Sequence, residues 1–176
     1  FRRLFYAIAL ALILTYMIMA AQFESFLHPF VIMLTVPLSI VGVTAALWFT
    51  GTAVSVIALL GILILAGTVV NNSIVLVDFV NRARRSGTEL VEACIEGALV
   101  RLRPILMSTL TTVIGLVPLA LALGEGAELQ APLAIAMIGG LASGTVFTLC
   151  VIPALYVLVT RFVDRFFGIE FIEEEV

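Results

Sequence analysis

Five long apolar runs constrain the fold of this chain more than any other feature of its sequence. About 20 consecutive apolar residues cross a bilayer as an α-helix, whereas a transmembrane β-strand needs about ten residues of alternating polarity, a pattern that does not occur here. The composition agrees, since 62% of the residues are hydrophobic and only 12% are charged, which excludes a soluble enzyme. We therefore predict an all-α, polytopic membrane bundle with five transmembrane helices. The runs cover about residues 4–21, 26–49, 54–80, 104–123 and 132–160.

The arginines predict the orientation of these helices. All nine basic residues are arginine; five lie between the third and fourth runs, and two follow the fifth. The positive-inside rule places both groups in the cytoplasm, and they agree with each other because two crossings separate them. Arg2 and Arg3 oppose this orientation, but two charges at one end of the sequence weigh less than seven. We expect the N-terminus outside and the C-terminus in the cytoplasm.

The segment between the third and fourth runs predicts one short amphipathic helix on the cytoplasmic surface. Leu90, Cys94 and Ala98 share one helical face, and glutamates occupy another. Ser86 and Glu89 have the spacing of a capping box at its start. A plain solvated linker helix is the alternative.

Two prolines and the ends of the chain complete the predicted organisation. Pro104 and Pro132 are expected in the first turn of their helices, where a missing N–H costs little. The sequence opens on Phe1 without a methionine, so we expect a piece of a longer protein. Residues 1–165 are predicted to be the C-terminal half of a membrane domain, and residues 166–176 an acidic cytoplasmic tail.

Small residues recur at every fourth position of the fifth run. Ala136, Gly140 and Gly144 follow this spacing. In lipid, helices associate through close packing rather than through burial of apolar area, and small residues permit the close approach. We interpret this face as a helix-packing surface and nothing more.

Two adjacent asparagines stand in the middle of the third run. Asn71 precedes Asn81, near the arginine-rich end, by about 15 Å of helix, which is close to the bilayer centre. An amide without a partner in hydrocarbon costs several kcal/mol, so Asn71 and Asn72 must face protein or water. Gly67 and Asp78 extend the same polar stripe, and the small Gly67 leaves room for a neighbour.

The fourth run offers a matching polar face. Ser108, Thr111, Thr112 and Gly115 fall on one side of a helix. The asparagines therefore have two readings, as hydrogen-bonding groups that only join helices or as part of a polar pathway for ions or protons. Asparagine does not titrate, and the sequence places no Asp, Glu, Lys or His at mid-depth. A titrating group would have to lie on a helix outside this sequence.

Three segments resemble one transporter family: "GTVVNNSIVLVDFVNRARRSG", "RLRPILMSTLTTVIGLVPLALALGEGAELQAPLAIAMIGGL" and "FESFLHPFVIMLTVPLS". They resemble the C-terminal membrane region of resistance-nodulation-division (RND) efflux transporters, most closely the hydrophobe/amphiphile efflux branch. The resemblance implies the last five of twelve spans, preceded by a large periplasmic domain. It also implies a homotrimeric multidrug antiporter in the inner membrane, driven by proton influx, that assembles with a periplasmic adaptor and an outer-membrane channel.

The resemblance also implies roles for individual residues. In many members a lysine at the position of Asn71 pairs with two aspartates of another span; asparagine can hydrogen-bond a carboxylate but cannot neutralise it. Ser108 matches the hydroxyl of this relay, and Arg101 matches an arginine at the cytoplasmic mouth. Asn72 falls beside the lysine position, and Asp78 matches an acidic residue near the cytoplasmic end. These five residues form the predicted proton relay.

Two other functions stay open from sequence. An RND member that moves metal ions or lipids is one, although metal export predicts methionine or carboxylate ladders and the five methionines scatter over four helices. A non-transporting membrane anchor or sensor is the other. We expect no enzymatic activity, cofactor, metal site or nucleic-acid partner. Cys94 and Cys150 are expected to be unpaired, and His28 to be an ordinary polar residue of a short loop.

Overall fold

Six α-helices form the five apolar spans in a computed structural model, which describes residues 2–124 and 126–167. All five spans are long and apolar enough to cross a membrane, and the described residues contain no strand. The all-α prediction is confirmed. Most of the predicted acidic tail, from residue 168 onward, lies outside the described residues. The helices are α1 (Arg2–Phe23), α2 (Leu27–Met33), α3 (Thr35–Phe49), α4 (Val56–Arg85), α5 (Leu90–Ala120) and α6 (Ala127–Phe167).

The second span is divided into α2 and α3 at Leu34. Pro37 has no N–H, so the carbonyl of Met33 loses the partner that a continuous helix would supply. Two residues before the proline, the Thr35 hydroxyl donates to the Ile32 carbonyl at 2.6 Å. The break therefore follows from the proline, and a local hydroxyl supplies a hydrogen bond beside it.

The fourth span is longer than the sequence predicts. The amphipathic segment is helical, but it is the first part of α5 and not a separate helix. Pro104 consequently lies inside α5, and Pro132 lies inside α6, which begins at Ala127. The placement of both prolines in a first turn was wrong. Packing explains the continuity of α5, because Gly97, before Pro104, lies against Val80 of α4.

The predicted capping box between α4 and α5 is also wrong. Ser86 caps the end of α4, where its hydroxyl donates to the Ala83 carbonyl at 2.8 Å. Glu89 is the N-cap of α5, and its side chain makes no capping hydrogen bond. Gly87, with φ of +92°, supplies the left-handed turn that separates the two helices. Ser86 therefore caps the C-terminus of α4 and not the N-terminus of α5.

Helix α6 lies at the centre of the bundle and packs against α3, α4 and α5. At the other extreme, α1 packs mainly against α2 and leaves most of its surface exposed. Helices α4 and α6 run in parallel, and their facing residues are separated by a constant 75 positions. The facing pairs are Leu65 with Gly140, Val69 with Gly144, Ser73 with Thr148, and Asn81 with Tyr156.

Helices α3 and α6 approach each other closely. A methyl carbon added to Gly139 would lie 2.6 Å from the carbonyl oxygen of Gly42. Beside this crossing, the Ser143 hydroxyl donates to the Ser39 carbonyl at 3.2 Å. Small residues on both helices thus allow backbone to meet backbone, the contact that stabilises helix pairs in lipid.

Candidate functional site

Helix α4 has two faces with different surroundings. Val69 and Ser73 are buried against α6. Gly67 and Asn71 each lie two residues away from that row, which is about 200° around an α-helix. Asn71 is exposed, and an added Cβ at Gly67 would meet no heavy atom within 4 Å. The polar stripe therefore points away from α6, toward a side that this chain does not cover.

The two asparagines differ in burial. Asn71 is exposed and Asn72 is half-buried. Neither side-chain amide forms a hydrogen bond with any residue of the described ranges. The sequence prediction that both amides face a polar interior stays a prediction, because no described residue hydrogen-bonds to either of them.

The buried polar group of α4 at this depth is Ser73, which the sequence analysis missed. Its hydroxyl donates to the Val69 carbonyl at 2.8 Å and lies 3.4 Å from the hydroxyl of Thr148 and 3.5 Å from that of Thr35. All three hydroxyl residues are at most 1% exposed. This cluster joins α3, α4 and α6. Ser73 follows the apolar Val69 by four residues, so both lie on the same face of the helix. This spacing predicts that Ser73 is buried, but the adjacent asparagines were the more conspicuous polar residues.

The hydroxyl face of α5 is turned away from the rest of the chain as well. Ser108 donates to the Ile105 carbonyl at 3.1 Å, and Thr111 and Thr112 likewise donate to carbonyls of their own helix. Ser108 is exposed. No hydrogen bond joins this face to Asn71 among the residues described. The polar face of α4 with Asn71 and the polar face of α5 with Ser108 are thus both exposed in the described part of the chain.

Asp78 lies near the arginine-rich end of α4, and Arg101 of α5 contacts Phe79, the residue that follows Asp78. Asp78 forms an ion pair of 2.8 Å with Arg82 on the surface. The Arg101 guanidinium lies over the ring of Phe79, 5.4 Å from its centroid, within cation–π range. The Nε atom of Arg101 is buried and has no hydrogen-bond partner in the described part of the chain.

The small residues predicted to pack helices occupy two environments. Ala136, Gly140 and Gly144 are buried in α6. A methyl carbon added to Gly144 would lie 2.9 Å from the Val69 side chain, and one added to Gly140 would overlap Leu65. Gly67 is instead uncovered, so any packing role for it involves helices beyond this chain.

His28 is not a loop residue, and that expectation was wrong. It lies in the first turn of α2, which begins at Leu27 and tolerates the following Pro29 because first-turn N–H groups have no intrahelical acceptor. The imidazole stacks on the ring of Tyr156, with centroids 5.4 Å apart. Sequence spacing could not have paired these residues, which are 128 positions apart.

Possible metal ligands are dispersed. Within residues 2–124 and 126–167, no group of three or more His, Cys, Asp or Glu side chains is placed to hold a metal ion. Cys94 is buried and Cys150 is exposed, and both are free.

Two comparisons with known proteins bear on the chain. The sequence model of the AcrB/AcrD/AcrF family matches residues 2–160. The X-ray crystal structure of a heavy metal efflux pump is similar, with a TM-score of 0.71 and 35% sequence identity. The similarity covers 88% of this chain and 14% of the pump chain, so this chain spans about one seventh of that protein's length.

Proposed function

Because the chain belongs to the AcrB/AcrD/AcrF family of RND efflux transporters, we propose that it is the C-terminal membrane segment of a proton-driven exporter of hydrophobic or amphiphilic compounds. In this proposal the segment lies in the inner membrane with its C-terminus in the cytoplasm. It acts in transport and not as an enzyme. The complete protein is a homotrimer that works with a periplasmic adaptor and an outer-membrane channel.

The exposed side chain of Asn71 is the observation that supports the proposal most directly. It lies in the middle of a span, on the face of α4 opposite to α6, with no hydrogen bond to the described residues. An amide in contact with acyl chains would cost several kcal/mol. A further helix with polar groups is therefore expected to cover Asn71, and a longer transporter of this family contains the additional chain to supply one.

The proposed mechanism is a change in hydrogen bonding at this face. Asn71 donates to aspartates on the covering helix while those aspartates are ionised, and Ser108 does so after its hydroxyl leaves the Ile105 carbonyl. Hydrogen bonds to an ionised group are about twice as strong as neutral ones, so protonation weakens both contacts. Helices α4 and α5 then shift, and α6 shifts with them because it packs against both.

Transport by the full-length protein in proteoliposomes with an imposed proton gradient tests this mechanism. Asn71→Ala combined with Ser108→Ala should lower the rate of proton-coupled efflux about tenfold or more, as expected for the loss of hydrogen bonds to a charged group. Thr44→Ala is the matched control, since its exposed hydroxyl bonds only to the Val41 carbonyl of its own helix. A double variant that exports at the wild-type rate would show that the relay role is wrong.

Metal export is the second candidate, because the similar solved structure is a heavy metal efflux pump. Soft metal ions prefer thiolate and thioether ligands. Met19 and Met137 are buried in different helices, and Met17 and Met107 are exposed. This scatter favours organic substrates. Parallel assays with a fluorescent amphiphile and with copper or zinc ions decide between them, and uptake of metal alone would overturn our choice.

A further inference from the structure

Three helices meet in a polar cluster beside the C-terminal end of α4, where the last turn of the helix is rich in arginine. His28 of α2, Asn81 of α4 and Tyr156 of α6 contribute one side chain each. The Tyr156 hydroxyl donates to the Asn81 side-chain oxygen at 2.5 Å, and it lies 3.1 Å from Nε2 of His28. Tyr156 is only 3% exposed. None of these residues belongs to the predicted proton relay.

The hydrogen bonds determine which nitrogen of His28 holds the proton. A tyrosine hydroxyl has a single proton, and that of Tyr156 is given to Asn81. The tyrosine oxygen must therefore accept from Nε2–H of His28. A neutral imidazole has only one N–H, so Nδ1 holds a lone pair and is an acceptor. This Nδ1 is buried and has no hydrogen-bond partner among the described residues.

A cavity adjoins this histidine. Its volume of about 20 Å³ exceeds the 10–15 Å³ that one water molecule needs. The residues that line the cavity include His28, Arg84 and Thr160. A proton added at Nδ1 would give His28 a positive charge, which the guanidinium of Arg84 would repel. A neutral hydrogen-bond donor therefore suits Nδ1 better than an added proton. A single water has the size and the donors that this site requires.

We propose that the cavity binds one water molecule, which donates to Nδ1 of His28 and accepts from Arg84. The completed network makes His28 a positioning residue that holds the end of α4 against α2 and α6. The proposal rests on the contacts within this chain and does not depend on what is transported. It bears on transport because α4 is also the helix of Asn71.

The water is tested by nuclear magnetic resonance on the full-length transporter in nanodiscs with ¹⁵N-labelled histidine. The His28 resonance is assigned by its absence in His28→Gln. At neutral pH we expect a protonated Nε2, an unprotonated Nδ1 and magnetisation transfer from a bound water to the ring. A protonated Nδ1, an imidazolium, or direct donation by Arg84 without water would each overturn the proposal.

The positioning role is tested by hydrogen exchange. Tyr156→Phe keeps the ring that stacks on His28 but removes the oxygen that joins the three helices. Backbone amides at the end of α4 should then exchange about three- to twentyfold faster, the factor expected for the loss of interhelical hydrogen bonds in a membrane protein. Tyr16→Phe is the matched control, because its hydroxyl bonds only to the Phe26 carbonyl.

Equal exchange at the end of α4 in Tyr156→Phe and Tyr16→Phe would overturn the positioning role. Neither measurement reads transport, so a failure of the proposed efflux function would leave both outcomes unaffected. His28→Ala, which removes the donor to Tyr156, should exchange faster at the end of α4, and His28→Gln should restore the wild-type rate because its amide N–H can replace Nε2–H. His28→Ala at the wild-type rate would overturn the role of His28.

Discussion

Replacing Gly139 by alanine should separate α3 from α6. The added methyl carbon would lie 2.6 Å from the Gly42 carbonyl oxygen and would overlap the methyl group of Ala46. One obstacle is a backbone atom and the other is bound directly to the backbone. Neither can move by a side-chain rotation, so the helices themselves must move apart.

The cost follows from this displacement. The overlap with Ala46 is the tighter of the two, so restoring an ordinary contact distance requires the backbones to separate by roughly 1 Å, which forfeits about half of the dispersion attraction between facing atoms. The 3.2 Å hydrogen bond from Ser143 to the Ser39 carbonyl is stretched as well, and such bonds are worth about 0.6 kcal/mol. Overpacking typically costs about 1–3 kcal/mol, and we expect Gly139→Ala to reach about 2–3 kcal/mol.

Reversible unfolding of the full-length protein by SDS, read by circular dichroism, measures this free energy. Gly144→Ala is the graded comparison, since its methyl would meet the movable Val69 side chain at 2.9 Å; we expect about 1 kcal/mol. Adding Ala46→Gly to Gly139→Ala removes one of the two obstacles and should recover part of the loss. The reasoning is refuted if Gly139→Ala unfolds like the wild type, or if Gly144→Ala is the less stable variant.

Two further substitutions separate structural from functional contacts. Thr109→Val removes the 2.9 Å hydroxyl contact to Thr145 between α5 and α6, and it should lower the free energy of unfolding by about 0.6–1.7 kcal/mol in the same assay; an unchanged value would contradict it. Asp78→Asn removes only the exposed ion pair with Arg82, so stability should change by less than about 0.5 kcal/mol. Its proton-coupled efflux should still fall if Asp78 belongs to the relay, and an unchanged rate would exclude that role.

The sequence alone predicted the five apolar spans and the position of Asn71 along the third of them. In lipid every backbone group must be satisfied within its own segment, so the length of an apolar run is enough to define a span. The position of Asn71 along α4 follows by counting residues. The limits of this local reasoning are visible at Pro104, where packing of the preceding turns against α4 keeps α5 continuous.

Only the tertiary structure decided which neighbour each face meets. Asn71, Asn72 and Ser73 are consecutive, yet the first is exposed, the second half-buried and the third fully buried. The pairing of Asn81 with Tyr156, 75 positions apart, is equally invisible in the sequence. A helix forms through hydrogen bonds four residues apart, which the local sequence determines. The choice of partner depends on the fit between surfaces brought together by the whole bundle.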